Sequence, residues 1–186
     1  MRGMKRFFFI AALFVSLPAS AQETVSFFGF DFPLRIGALT RGDVTNFEKD
    51  NPGLGYGVRY TAPGQRVDIF VYSLGKRQID DDVFSLDQNE ELTRAIADVY
   101  RAKERGLYRN VVEGAEFESP AVKNPFFRCR AFVIDRGEGR VEDSALCLGA
   151  RNDKFFKVRI SSSPPAPGIA ERSDQLLRQI GRAVKF

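Results

Sequence analysis

The sequence predicts an α+β domain with a mainly antiparallel sheet, the element order β-ββ-α-ββββ-α and two amphipathic helices. Short apolar runs with strand character are separated by turns that contain Gly, Pro or Asn, so neighbouring strands are expected to pair as hairpins. Two longer segments carry apolar residues at helical spacing. The chain has 186 residues, of which 44% are hydrophobic. This length and composition are typical of one folded domain.

The N-terminal 21 residues have the pattern of a secretory signal peptide. A basic segment, 1–6, precedes the apolar run 7–17, and Ala19 and Ala21 form a small-x-small cleavage site. A membrane anchor is the alternative, but a span of the bilayer needs about 20 apolar residues. We therefore expect cleavage after Ala21, a single α+β domain over 22–186 without a transmembrane segment, and a periplasmic or secreted location.

The composition excludes several kinds of chemistry. The chain has no His, which excludes Ser-His-Asp triads, Cys-His dyads and His-ligated metal sites. The charges in the predicted signal peptide are all basic, and their removal lowers the net charge from +4 to +1. A nearly neutral domain is not expected to bind nucleic acid, so any anion site must be a local patch. We predict no catalytic residue, no metal site and no cofactor.

The first part of the predicted domain supplies a strand and a hairpin. Alternating apolar residues predict one strand over 25–34. One face of that strand consists of Phe28, Phe30, Phe32 and Leu34. Residues 35–55 have no such pattern and are expected to be irregular. Strands at 56–62 and 66–74 flank Pro63-Gly64, a pair that suits the middle of a tight turn.

Two segments predict amphipathic helices. The first covers 88–105, with an apolar stripe formed by Leu92, Ile96, Val99 and Ala102. Two capping boxes are available at its start, Ser85 with Gln88 or Asp87 with Glu90. The second helix covers 169–184, with an inner side formed by Ile169, Ser173, Leu176, Leu177, Ile180 and Val184.

Four strand-like runs lie between the helices, at 110–118, 126–135, 141–150 and 154–163. A turn centred on Glu138 places Cys129 directly opposite Cys147 in a hairpin, where the two thiols can bond. An exported protein meets an oxidising compartment, so we predict a disulfide, worth roughly 3 kcal/mol in the loop-entropy model. A metal-binding or reactive cysteine is the alternative, although no CxxC is present.

The same hairpins predict two different faces on these strands. A two-residue turn at Asn152-Asp153 fixes the next register. The face then expected in the core consists of Phe127, Cys129, Ala131, Val133, Ala145, Cys147, Phe156, Val158 and Ile160. The opposite face carries Arg128, Arg130, Leu146, Leu148, Phe155, Lys157 and Arg159. Four cations around three apolar side chains are a candidate site for a carboxylate, a phosphate, a lipid head group or an acidic partner surface. The alternative is a solvated face, whose basic stems cover apolar neighbours.

This element order resembles that of the PsbP/Mog1-like group of small α+β proteins, over most of residues 25–184. The resemblance implies a binding or assembly factor rather than an enzyme, and it transfers no functional residue. The chain also resembles bacterial secreted proteins of unknown function. We expect an exported, periplasmic, non-catalytic binding or interaction module whose partner is an envelope protein or an anionic ligand. The alternatives are a carboxylate-based hydrolase of envelope material and a binder of anionic lipid or membrane surfaces.

Overall fold

The computed structural model describes residues 23–186, so the predicted signal peptide and its cleavage site lie outside the described residues. The elements in chain order are strands β1 (Thr24–Phe27), β2 (Phe30–Pro33), β3 (Arg35–Ile36), β4 (Leu39–Asn46), β5 (Tyr56–Ala62) and β6 (Gln65–Tyr72), helix α1 (Leu86–Glu104), strands β7 (Asn110–Ser119), β8 (Phe127–Asp135), β9 (Val141–Arg151) and β10 (Lys154–Ser162), and helix α2 (Ile169–Val184). The predicted α+β class and the order of its elements are confirmed, with additional short strands before β5.

One large sheet organises the molecule. Eight strands follow the order β3-β4-β5-β6-β10-β9-β8-β7, and every neighbouring pair is antiparallel. Strands β1 and β2 form a separate hairpin. Helix α2 and this hairpin cover one face of the large sheet, and α1 covers part of the other. The sheet therefore lies between two layers.

The N-terminal segment differs from the sequence prediction. The single strand predicted over 25–34 is a hairpin, because the chain reverses at Phe28 and Gly29, which both have positive φ. Phe27 then stacks on Phe32, with ring centroids 4.5 Å apart. The irregular segment expected at 35–55 contains β3 and β4. Strand β4 was missed because most of its residues are exposed, so no apolar alternation marks it.

The hairpin registers predicted from the turns are confirmed. Ala62 pairs with Gln65 across Pro63-Gly64. Cys129 lies opposite Cys147, and the two form a disulfide. The predicted turn at Asn152-Asp153 joins β9 to β10, and both of its residues have the positive φ of a tight hairpin turn. Local turn chemistry thus fixes the pairing of β8, β9 and β10.

The face predicted to be apolar packs against α2 and the β1–β2 hairpin. Its buried members include Phe127, Cys129, Ala145, Cys147, Phe156, Val158 and Ile160. Val133 is an exception, with 45% of its surface exposed, and it pairs with exposed Val112 of the edge strand β7. The prediction that Val133 belongs to the core is therefore wrong, although its register is right.

Helix α1 begins at the earlier of the two predicted caps. The hydroxyl of Ser85 accepts a hydrogen bond from the Gln88 backbone N–H. Its buried side includes Leu92, Ala95, Val99 and Ala102. Within residues 23–186, neither helix has both the length and the apolar character that crossing a bilayer requires.

Candidate functional site

Helix α1 lies across the face that strand alternation predicted to be basic and open. Leu146, Leu148 and Phe155 of that face are 4%, 1% and 0% exposed. They share buried clusters with α1 residues Leu92 and Val99. The expectation that these three side chains lie on an open face is wrong, because they form a second core under the helix.

A signal for this second core is present in the sequence. Residues 145–150 read ALCLGA, a nearly unbroken apolar run, and all of β9 from Glu142 to Ala150 is buried. A strand that is solvated on one face alternates, whereas a strand covered on both faces is apolar throughout. The run therefore indicates cover on both faces.

Helix α1 divides the four predicted cations into two pairs. In one cross-strand row Arg130 and Arg159 flank Leu146, and in the next row Arg128 and Lys157 flank Leu148. Because the helix packs over both leucines, Arg128 and Arg130 lie on its β8 side. Lys157 and Arg159 lie on its β10 side. The seven predicted residues therefore do not form one continuous site.

The two arginines on the β8 side already have acidic partners. Arg128 donates to Glu116 Oε1 at 2.6 Å. Arg130 contacts Glu116 Oε2 at 2.6 Å and Glu113 Oε1 at 3.1 Å. The hydrogen bond from Arg128 lowers the pKa of Glu116, with Arg130 adding to the effect and burial opposing it. In the described part of the chain Arg130 Nε has no acceptor, but Glu113 and Glu116 balance the charges of the two arginines.

The pair on the β10 side lines a cavity of about 250 Å³ between α1 and the sheet, which we call the α1 cleft. Strands β5, β6, β9 and β10 and one side of α1 form its walls. Its cations are Arg59, Arg66, Lys157 and Arg159, its carboxylates are Asp68 and Asp98, and its apolar residues are Phe70, Ala95, Val99 and Leu146. Only three of these ten, Leu146, Lys157 and Arg159, belong to the predicted face.

The carboxylates of the α1 cleft are engaged by arginines. Asp68 accepts from Arg59 Nε at 2.8 Å, and this hydrogen bond raises the pKa of Arg59. Arg66 Nε lies 2.9 Å from the other oxygen of Asp68, although the N–H is too poorly aligned for a hydrogen bond. Asp98 accepts from Arg101 on the same helix. Neither carboxylate therefore neutralises the β10 pair directly.

Arg159 has a donor without an acceptor. Its Nη1 donates to the Tyr108 hydroxyl at 2.8 Å, and its Nε donates to Ser144 Oγ at 3.3 Å. These contacts fix the plane of the guanidinium. Among the described residues, its buried Nη2 has no hydrogen-bond partner.

Lys157 is a second cation with unused donors. Its Nζ lies 5.2 Å from the ring centroid of Phe70 and 5.0 Å from that of Tyr72. Within residues 23–186 this Nζ has no hydrogen-bond or ion-pair acceptor. Burial lowers the pKa of Lys157, against the opposing effect of Glu91 and Asp98. The cleft thus places two incompletely neutralised cations on one cavity wall.

Four charged residues of the cleft were not predicted from the sequence. Arg59, Arg66 and Asp68 come from the first hairpin, and Asp98 comes from α1. The three residues of the hairpin reach Arg159 because β6 pairs with β10, where Asp68 lies opposite Arg159. No local turn specifies that pairing, since 81 residues separate the two strands' closest ends. Among the described residues, no three Cys, Asp or Glu side chains converge as metal ligands.

Comparisons with known proteins show a similarity to solved structures. Neither a scan of protein-family models nor a search of curated proteins returned a match. Among solved structures, the chain is similar to the solution structure of cyanobacterial PsbP (CyanoP) from Synechocystis sp. PCC 6803. The sequence identity is 10%, the match covers 93% of this chain and 94% of that chain, and the TM-score is 0.43. That structure is named PsbP, as is the group that the element order resembles. The likeness concerns the fold alone.

Proposed function

We propose that this chain is a non-catalytic binding module that acts outside the cytoplasm and binds an anionic ligand in the α1 cleft. One observation carries the proposal: Arg159 Nη2 and Lys157 Nζ line the same cavity, and neither has an acceptor among the described residues. A negatively charged ligand would supply that acceptor.

The energetics favour this interpretation of the two cations. A buried donor without a partner, such as Arg159 Nη2, costs roughly 1–3 kcal/mol, and a hydrogen bond to a charged group contributes roughly 1.5–3 kcal/mol. Two such bonds contribute about 3–6 kcal/mol, and part of this gain offsets the lost freedom of the bound anion, so we expect a dissociation constant of about 1–10 mM for the anionic group alone. Further contacts of the natural ligand would add to that affinity.

The two alternatives are less well supported by the same contacts. A hydrolase needs a free carboxyl beside its substrate, whereas Asp68 and Asp98 are both bonded to arginines. A membrane-surface binder needs apolar residues beside its cations, whereas Leu146, Leu148 and Phe155 are buried under α1. An anion-binding cleft requires neither a free carboxyl nor an exposed apolar face.

Export is the second part of the proposal. Its support is the N-terminal sequence pattern and the disulfide between Cys129 and Cys147, since disulfides persist mainly in oxidising compartments. In a Gram-negative cell that compartment is the periplasm.

An anion titration tests the cleft. Isotope-labelled protein containing residues 22–186 is titrated with sodium acetate, against sodium chloride at equal ionic strength, and followed by two-dimensional NMR. We expect acetate-specific shifts around Val99, Lys157 and Arg159, with a dissociation constant of about 1–10 mM for one carboxylate.

Three variants locate the binding site. Arg159→Gln removes the free donor and should abolish the shifts. Arg130→Gln removes the matched arginine on the other side of Leu146 and should keep them. Lys157→Met provides an independent loss of a donor if Arg159→Gln perturbs the fold. Equal binding by all three variants, or no acetate-specific shift in the cleft, contradicts the proposed function.

A further inference from the structure

We infer that the ligand of the α1 cleft is a small monocarboxylate with a compact apolar body. This inference rests on the proposed function, because it names the chemical class of ligand for the same cavity. The donors, the walls and the size of the cavity support it separately.

The donors of the cleft match a carboxylate. Arg159 offers one free group, Nη2, because its Nε and Nη1 are held by Ser144 and Tyr108. Lys157 Nζ offers the second. Two separate donors suit the two oxygens of a carboxylate. A phosphate ester presents three terminal oxygens and a larger charge, and Arg59 and Arg66 are already engaged with Asp68.

Four lining residues of the cleft are apolar. Ala95 and Val99 project from α1, Leu146 projects from β9, and Phe70 lies beside Lys157. An inorganic anion would leave these side chains against water. An anion attached to an apolar group would place its charge on β10 and bury its body between the helix and the sheet, which is favourable in proportion to the apolar area removed from water.

The volume limits the size of that body. The cavity volume is about 250 Å³. Pockets for drug-sized ligands run from about 300 to 1,000 Å³, so this cavity is below that range. The most exposed charged residues of its lining are Arg59 and Asp98, which places the mouth between β5 and α1. A single ring fits this volume.

A set of four probes separates the charge from the body. Benzoate has both, acetate has only the carboxylate, benzyl alcohol has only the body, and phenyl phosphate replaces the carboxylate. We expect benzoate to bind at least tenfold more tightly than acetate, a difference of about 1.4 kcal/mol. Benzyl alcohol and phenyl phosphate should each bind more weakly than benzoate. Titration calorimetry and NMR on residues 22–186 provide the affinities and the location.

A cavity-filling variant tests the place of the apolar body. Ala95→Leu adds carbon atoms to the helix wall of the cleft and should reduce the advantage of benzoate over acetate to less than threefold. Ala97→Leu, on the same helix but outside the cavity lining, should preserve it. The acetate affinity of both variants serves as the control for an intact anion site.

The outcomes distinguish this inference from the proposed function. If acetate binds at Arg159 and benzoate is no tighter, the small apolar carboxylate is wrong and the anion-binding cleft stands. If phenyl phosphate binds more tightly than benzoate, the ligand class is wrong and the cleft again stands. If neither acetate nor benzoate perturbs the cleft, both the inference and the proposed function fail.

Discussion

The charged end of Lys157 lies near two aromatic rings and, within residues 23–186, near no hydrogen-bond acceptor. Burial lowers its pKa from the ordinary value of 10.5. The charged and titratable groups that face it are Tyr72, Glu91, Arg94, Asp98 and Arg159. An apolar residue at this position would avoid the cost of burying a charge, so the presence of a lysine agrees with a role in binding.

We predict that Lys157→Met stabilises the ligand-free protein near pH 7. A lysine whose folded pKa is lowered destabilises the fold fully below that pKa, because both states are then protonated and only the folded one buries the charge. The penalty shrinks as pH rises towards 10.5, where the unfolded chain also loses its proton. The gain from the variant should therefore shrink as pH rises.

Urea unfolding of both proteins at several pH values measures this difference. Lys154→Met, on the same strand but outside the cleft, is the control. A Lys157→Met protein that is less stable than wild type at pH 7 would contradict the interpretation of Lys157 as an incompletely neutralised buried cation.

At the scale of elements, the covering of the sheet by α1 has a direct energetic consequence. Leu148 is 1% exposed beneath the helix, so Leu148→Ala should lower the free energy of unfolding by about 3 kcal/mol, within the 2–5 kcal/mol typical of buried leucines. Val133 is 45% exposed, so Val133→Ala should cost less than about 1 kcal/mol. Equilibrium urea denaturation compares the two, and a larger loss for Val133→Ala would contradict the fold.

The disulfide belongs to the same scale because it joins β8 to β9. Replacing both Cys129 and Cys147 with Ala should lower the free energy of unfolding by roughly 3 kcal/mol, the loop-entropy value for a closed segment of this length. Differential scanning calorimetry of the variant, beside the wild type with and without reductant, tests the value. An unchanged melting temperature would show that the bond is absent in solution or contributes nothing.

Leu148 and Val133 show which features of the fold can be predicted from the sequence. Turn residues such as Asn152 and Asp153 act locally, so they predicted the registers of β8, β9 and β10 correctly. Alternation assigned Leu148 and Val133 to opposite faces, which is also correct. It could not say which face α1 covers, or where α2 stops covering the other, because both depend on packing between distant segments.

At the scale of the whole molecule, the candidate site is a product of tertiary structure. Lys157 and Arg159 were identified from the register of one hairpin, whereas Asp68 reaches Arg159 only through the long-range pairing of β6 with β10. The separation of Arg130 from Arg159 likewise depends on where α1 docks. The sequence therefore predicts the element order, the hairpin registers and part of the site, and the docking of α1 completes the cavity.

Export is a prediction about the whole chain. Expression of the 186-residue chain in a Gram-negative host should yield a processed protein that begins at Gln22 and is released with the periplasmic fraction. Intact mass should also show the two cysteines oxidised. Mass spectrometry of the fractionated cells measures both, and an unprocessed, reduced protein in the cytoplasm would contradict export.

The central claim is that α1 leaves a cationic, partly apolar cleft which holds a small carboxylate. A crystal structure of residues 22–186 with 4-bromobenzoate tests it most directly, because the anomalous signal of bromine locates the ligand without prior phases. The account predicts a carboxylate between Lys157 Nζ and Arg159 Nη2, with bromine beside Val99 and Leu146. Bromine bound only elsewhere, with the α1 cleft empty, would contradict it.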